Sequence, residues 1–205
     1  RIVSGERPIH QALEAELAAI YQADAALTMV SEHSTKVTTI GYLFGARDLV
    51  IHDALIHNSV VVGAESSGAH RRVFPHNDWA ALERILGEQR DRYDRVLIVI
   101  EGLYSMDGDT PDLARAIDIK KRHDAFLMVD EAHALGVLGD SGLGSWEAAD
   151  VSPRDVDIWM GTLSKTLASC GGYIAGSHAL VDLLRYGAPG FVYSVGLAPP
   201  LAAAA

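Results

Sequence analysis

Two short runs, VLIVI at residues 96–100 and FLMV at 126–129, constrain this chain more than any other feature. Each is apolar at every position and rich in branched side chains. A strand with one wet face alternates apolar and polar residues; a run without alternation needs both faces covered. Helices packed above and below a sheet provide that cover, and parallel strands joined by helical crossovers put them there. The expected class is α/β: a mostly parallel sheet with helices on both faces.

The rest of the chain supplies the alternation. Residues 8–21 carry Ile9, Leu13, Leu17 and Ile20 at helical spacing behind a first-turn proline, Pro8. Residues 25–30 predict a strand. Residues 31–35 open a second helix, capped by Ser31 or Ser34, with Val37, Ile40 and Leu43 or Phe44 along it. Strand 48–52 leads through 53–59 into a helix ending at Gly63 or Ser67, and 72–74 predict a short strand. Asn77 is placed to cap a helix bearing Trp79, Leu82, Ile85 and Leu86. Thr110-Pro111 starts another, with Leu113, Ala116 and Ile117 inward. Residues 157–161 and 173–175 predict further strands, and 179–186 a helix. No repeat or low-complexity linker interrupts the 205 residues, which are read as one domain.

Composition closes off several function classes. A net charge of -10 lacks the basic stripe that a nucleic-acid partner would require. No run reaches the roughly 18 apolar residues of a membrane span. The lone cysteine, Cys170, excludes an internal disulfide and a thiolate metal site, and no metal is expected. Beside Gly171 and Gly172 it reads as a small filler. Reduced thiol and the absence of a leader pattern give a cytoplasmic expectation.

In open α/β sheets, ligands sit beyond the carboxyl ends of the strands. His57, Ser105, Asp130, His133 and Lys165 all fall at or just after predicted strand ends. Lys165 follows Thr162 and Ser164. Its amine can form a Schiff base with an aldehyde, and the hydroxyls can hold a phosphate. A lysine at such a turn is also a common surface residue. Asp130 either caps the next helix or meets a cation such as a protonated pyridine. His133 either bonds to backbone or donates to a phenolic oxygen; His57 follows an apolar turn and is placed to stack on a ring face. A turn-stabilising role is the default for Ser105. The helix start at 31–35 is a ready anion site.

The segments HDALIHNS, FPHND, EGLYSMDGD, VDEAHALGVLGDSGLGS and GTLSKTLASCGGYIAG, with the tail GFVYSVGLAPP, occur in this order along nearly the whole chain. In order and spacing they resemble the α-oxoamine synthases, fold-type I pyridoxal-phosphate enzymes that include serine palmitoyltransferase and aminooxononanoate synthase. The resemblance implies that residues 1–205 are the large, cofactor-binding domain, with an N-terminal arm and a C-terminal small domain outside the sequence. The cofactor would be pyridoxal 5'-phosphate. By position, Lys165 would be the Schiff-base lysine and later the base for the α-proton, and Asp130 the partner of the pyridine nitrogen. His133 and Ser105 would address the phenolic side of the ring. His57 would stack on it, and Thr162 and Ser164 would contact the phosphate. Ser194, with Val195, would reach the phosphate of a neighbouring subunit, which implies a homodimer with a shared active site.

The family reaction is a decarboxylative condensation of an amino acid with an acyl thioester to an α-amino ketone. The donor would be acyl-CoA or an acyl-carrier protein. An aminotransferase or lyase on the same fold, and a non-catalytic module, are the alternatives. One departure stands out. Glu32 and Lys36 occupy positions where the family has glycine and asparagine, with His33 between them. Only the N–H groups of Glu32 and His33 would need to face a phosphate, and a glutamate there repels it unless turned outward.

Overall fold

The apolar runs become the central strands of a seven-stranded sheet. A computed structural model describes residues 1–3 and 5–205. In chain order the elements are α1 (Pro8–Ile20), β1 (Ala25–Met29), α2 (Glu32–Leu43), β2 (Leu49–Asp53), α3 (Asn58–Ser67) and β3 (His70–Phe74). There follow α4 (Trp79–Gln89), β4 (Val96–Glu101), α5 (Leu113–Arg122), β5 (Phe126–Asp130), α6 (Ser145–Ala148) and β6 (Ile158–Thr162). The chain continues through β7 (Gly172–Gly176), α7 (His178–Gly187), α8 (Pro189–Val192) and α9 (Pro199–Ala204).

The strand order is β1-β7-β6-β5-β4-β2-β3. Neighbours β3, β2, β4, β5 and β6 run parallel, and β7 runs antiparallel between β6 and β1. The mostly parallel α/β class is therefore confirmed. Side-chain alternation sorts the strands' apolar residues into separate layers. Ile98, Ile100, Leu127, Val129 and Trp159 face α1, α4 and α5. Leu97, Val99, Met128, Ile158 and Met160 face α2, α3 and α7. Each fully buried residue of this size contributes about 1.5–3 kcal/mol, so the two layers hold the sheet edge rigidly.

Local chemistry moves several helix starts from their predicted places. Asn77 does not cap α4; it sits at φ 54, and the cap is Asp78, whose carboxylate accepts the Ala81 N–H. Thr110-Pro111 precede α5 without starting it: Asp112 is the cap and accepts from Arg115 N–H. The segment after β2 is a turn, and α3 starts at Asn58 with His57 as its cap. The cap of α2 is Ser31, which accepts from Ser34 N–H.

Parallel β2, β4, β5 and β6 deliver their last residues, Asp53, Glu101, Asp130 and Thr162, to one edge. Glu101 and Asp130 are paired across adjacent strands. The first turn of α2 reaches the same edge because β7 opens on Gly172. A Cβ on Gly172 would stand 2.6 Å from Thr35 Oγ1 and 2.8 Å from Glu32 Cα, so only glycine admits this approach.

Candidate active site

Residues from distant parts of the chain meet as a line of charges at the carboxyl edge. Lys165 leaves the turn after β6 with its side chain 35% exposed. Its Nζ lies 3.1 Å from His133 Nε2 and 3.4 Å from Glu32 Oε2. The other oxygen, Glu32 Oε1, accepts from Lys36 Nζ at 2.8 Å. Lys36 is fully buried and pairs in turn with Oδ2 of buried Asp130. Asp130 Oδ1 accepts the Ala132 N–H at 3.0 Å. His133, Lys165, Glu32, Lys36 and Asp130 thus form one connected set.

The electrostatics follow from that arrangement. Burial alone would raise the Glu32 carboxyl, but Lys36 and then Lys165 outweigh it and hold the group at about 2. Burial works to lower the Lys36 ammonium, and Asp130 and Glu32 outweigh it in the other direction, so Lys36 stays charged. His57 and His133 are both shifted down, first by burial and then by a neighbouring ammonium, Lys36 and Lys165 respectively. Both imidazoles are neutral at neutral pH and can accept hydrogen bonds.

Glu101 enters the same group and had not been singled out from sequence. Its Oε1 accepts the His57 N–H at 2.8 Å. Burial, reinforced by Asp130, pushes it up to about 7. The signal was present: like Asp130, it is an acid closing an otherwise apolar strand. Glu131, also overlooked, is turned away from this group. It accepts from Ser145 N–H at 3.0 Å and from the Ser145 hydroxyl, and burial pushes it up to about 7.

The other predicted positions are placed less uniformly. Thr162 and Ser164 hydroxyls are 2.7 Å apart beside Lys165. His33 lies exposed in the first turn of α2. First-turn N–H groups such as those of Glu32 and His33 have no acceptor within a helix, which leaves them free for an anion. His57 bonds through Nδ1 to the Ser59 hydroxyl at 2.7 Å. Ser105 is exposed, and no hydrogen bond joins it to the Lys165 group among the described residues. Ser194 lies beyond α8, half-buried between exposed Tyr193 and Val195, and likewise stays outside the group. Glu32 does not turn outward as phosphate repulsion suggested; it turns inward, because two ammonium groups attract it there.

A scaffold of loops backs the site. His76 bridges Asp53 at 2.9 Å and Asp109 at 2.8 Å, tying the FPHND segment to the ends of β2 and of the EGLYSMDGD loop. A cavity of about 490 Å³, lined by Phe44, Phe126, Trp159 and Leu180, lies at the opposite edge. It contains none of the Lys165 group.

The model of one family, aminotransferase class I and II, matches residues 3–205. The chain belongs to the aminotransferase class I and II family. Within this family it is similar to proteins named as α-oxoamine synthases. A Gloeobacter violaceus protein, provisionally named 8-amino-7-oxononanoate synthase, is 49% identical over 205 residues, covering 100% of this chain and 52% of the relative. The serine palmitoyltransferase of Sphingomonas wittichii superposes with a TM-score of 0.93 at 32% identity, covering 100% of this chain and 51% of that one. A serine palmitoyltransferase solved with pyridoxal phosphate as its internal aldimine also gives 0.93, at 29% identity and the same coverage. The chain thus spans about half the length of the curated relatives it matches.

The family's cofactor can be tested against the groups present. A lysine amine, adjacent hydroxyls, a helix start and neutral imidazoles suit a phosphorylated aromatic aldehyde. The carboxylate end is different, because Asp130 already holds a cation.

Proposed function

We propose that this chain is the cofactor-binding portion of a pyridoxal-phosphate-dependent α-oxoamine synthase. Its reaction would condense an amino acid with an acyl thioester, releasing thiol and carbon dioxide and leaving an α-amino ketone. The observation that carries this is the connected set in which the Lys165 amine and the Asp130 carboxylate share one cluster, through Glu32 and Lys36. Family membership supplies the context for that geometry.

When bound, the cofactor supplies an aldehyde for amine capture and a conjugated ring to delocalise a carbanion. The chain's own residues bind, orient and move protons. Lys165, with its partly exposed nitrogen, would hold the cofactor through its amine and would exchange the proton of the substrate's α-carbon. His133, neutral and 3.1 Å away, accepts from that nitrogen and fixes its direction. Thr162 and Ser164, with the N–H groups of Glu32 and His33, would hold the phosphate. A Glu101 carboxyl oxygen accepts the His57 backbone N–H, which anchors the start of α3 at the site edge. Ser105, exposed on the loop after β4, would address the cofactor's phenolic oxygen.

The substrates are an amino acid and an acyl-CoA or acyl-carrier protein. The functional unit is a homodimer with a shared site: Tyr193 and Val195, 86% and 93% exposed, flank Ser194 and call for cover by a second subunit. The setting is the cytoplasm, in keeping with a free, exposed Cys170. Among the described residues no helix is long and apolar enough to cross a membrane.

The test uses the full-length protein with pyridoxal phosphate. Absorbance of the lysine-bound cofactor should appear and vanish in Lys165→Ala. Amino acid plus acyl thioester should then release free thiol and carbon dioxide. An unchanged spectrum in the variant, or a keto acid as product, would overturn this reading.

A further inference from the structure

We infer that Glu32 is the counter-ion of the free Lys165 amine: a positioning residue that receives this nitrogen whenever it is not bonded to cofactor, and so favours its displacement by the substrate amine. The inference deepens the proposed function and rests on it.

The first ground is geometry. Glu32 Oε2 lies 3.4 Å from Lys165 Nζ, and His133 Nε2 lies 3.1 Å from the same nitrogen. A free ammonium has three N–H groups and can serve both acceptors. A lysine nitrogen bonded to an aldehyde carbon keeps one at most, so this pair of contacts belongs to the free side chain. Among the described residues no other carboxylate is ion-paired with Lys165. The second ground is how firmly Glu32 is set. Its Oε1 accepts from Lys36 Nζ at 2.8 Å, one helical turn on. The Lys36 side chain is 1% exposed and also pairs with Asp130 at the end of β5. Lys36 is thus a post shared by two acids, and it keeps the Glu32 carboxylate turned into the pocket. An exposed lysine without such a partner spreads over many rotamers.

The third ground is charge. Glu32 and Asp130 bring two negative charges against one positive charge on Lys36, so the group lacks one cation. Glu32 stays ionised at about 2. Glu101, buried beside Asp130 and pushed up to about 7, adds little negative charge while it keeps its proton. His57 and His133, shifted down, bring no positive charge. The Lys165 ammonium completes the balance. Because Lys36 is shared, Asp130 keeps part of its charge, and its oxygens keep lone pairs for a further donor.

When a substrate amine displaces Lys165, a C–N bond to the substrate nitrogen replaces the C–N bond to the lysine. Two protons pass from the substrate ammonium to the lysine nitrogen, and no electrons are exchanged. Lys165 leaves as the ammonium that Glu32 receives. Stabilising the freed lysine opposes aldehyde capture by the empty site. It favours displacement by the same factor, since both equilibria contain that state. Repulsion between Glu32 and a phosphate acts before and after displacement alike and cancels there.

The experiment is equilibrium absorbance titration of the full-length protein, wild type and Glu32→Gln. Glutamine keeps a carbonyl acceptor for Lys36, and calorimetry verifies the fold. Cofactor-free protein is titrated with pyridoxal phosphate and with pyridoxal, which lacks the phosphate. Loaded protein is titrated with the amino acid that supports thiol release. In the variant, pyridoxal should bind about two- to fivefold more tightly, the scale of a partly exposed ion pair. Half-displacement should need more amino acid by the same factor. The double variant Glu32→Gly/Lys36→Asn, which removes one charge of each sign, should show the same rise in half-displacement. Tighter pyridoxal phosphate with unchanged pyridoxal means that Glu32 acts on the phosphate alone and overturns the inference. Weaker binding of both aldehydes overturns it too. A wild type that loads and condenses, but matches the variants in every titration, overturns the inference and leaves the proposed function intact. Failure of the wild type to take up pyridoxal phosphate overturns both.

Discussion

Lys36, in the second turn of α2, is ion-paired with Asp130 at the end of β5, and both are sealed from solvent. This contact joins a helix of one face of the sheet to the strand end where the chemistry is expected. Breaking one side of such a pair leaves an unpaired buried charge, which costs about 3–5 kcal/mol. Lys36→Met should lower the unfolding free energy of the cofactor-free protein by that amount. Adding Asp130→Asn should recover part of the loss, and denaturant titration of both variants measures the coupling. Additive losses would show that the two side chains do not interact.

Glu101 should make the unliganded protein less stable as pH rises. Its ordinary value is 4.5, and burial with the Asp130 charge lifts it to about 7 in the folded state. Between those values the folded protein holds the proton more tightly than the unfolded chain does. Stability therefore declines from pH 4.5 upward and levels off above 7. Glu101→Gln keeps an acceptor for the His57 N–H and should remove this decline, a gain of about 1–3 kcal/mol at pH 8 relative to wild type. Chemical denaturation at pH 5 and pH 8 checks it.

His76 should act with the same protonation preference over a higher pH range. Burial pulls it down, but hydrogen bonds donated to the Asp53 and Asp109 carboxylates outweigh this and hold it above its ordinary 6.5. Its contribution is full below pH 6.5 and is lost as pH rises through the higher folded value. His76→Gln should flatten that part of the thermal-stability profile. A wild-type profile identical to that of the variant between pH 6 and pH 8 would count against the bridge.

Gly172→Ala should damage the site from behind. The added Cβ would meet Thr35 Oγ1 at 2.6 Å and the Glu32 backbone at 2.8 Å, so the first turn of α2 must retreat. Overpacking of this kind costs about 1–3 kcal/mol. Since the N–H groups proposed to hold the phosphate lie on that turn, cofactor affinity should fall along with stability, by roughly tenfold or more if 1.4 kcal/mol of the strain is relieved in the unbound state. Fluorescence titration with pyridoxal phosphate reads this, and unchanged affinity would place the phosphate side elsewhere.

The sequence by itself determined the class of fold and the edge at which Asp130 and Lys165 fall. Runs such as 96–100 and 126–129 have no polar face, so only burial on both sides satisfies them, and strand ends then gather Asp130 and Lys165 by topology. Motif likeness pointed to the family, and the family model matches nearly the whole chain. Helix starts were less legible. Whether Asn77 or Asp78 caps α4 depends on which side chain reaches a free N–H, a matter of backbone angles that neighbouring residue types do not reveal.

Only the tertiary structure decided what Lys36 does. Glu32 and Lys36 are spaced to pair on one helix face, but spacing does not say whether that face meets water or a strand end. Packing of α2 against β7, permitted by Gly172, turned the pair inward. Once inside, low dielectric and the lack of solvent bound Lys36 to Asp130, because a buried charge has to take the nearest opposite one.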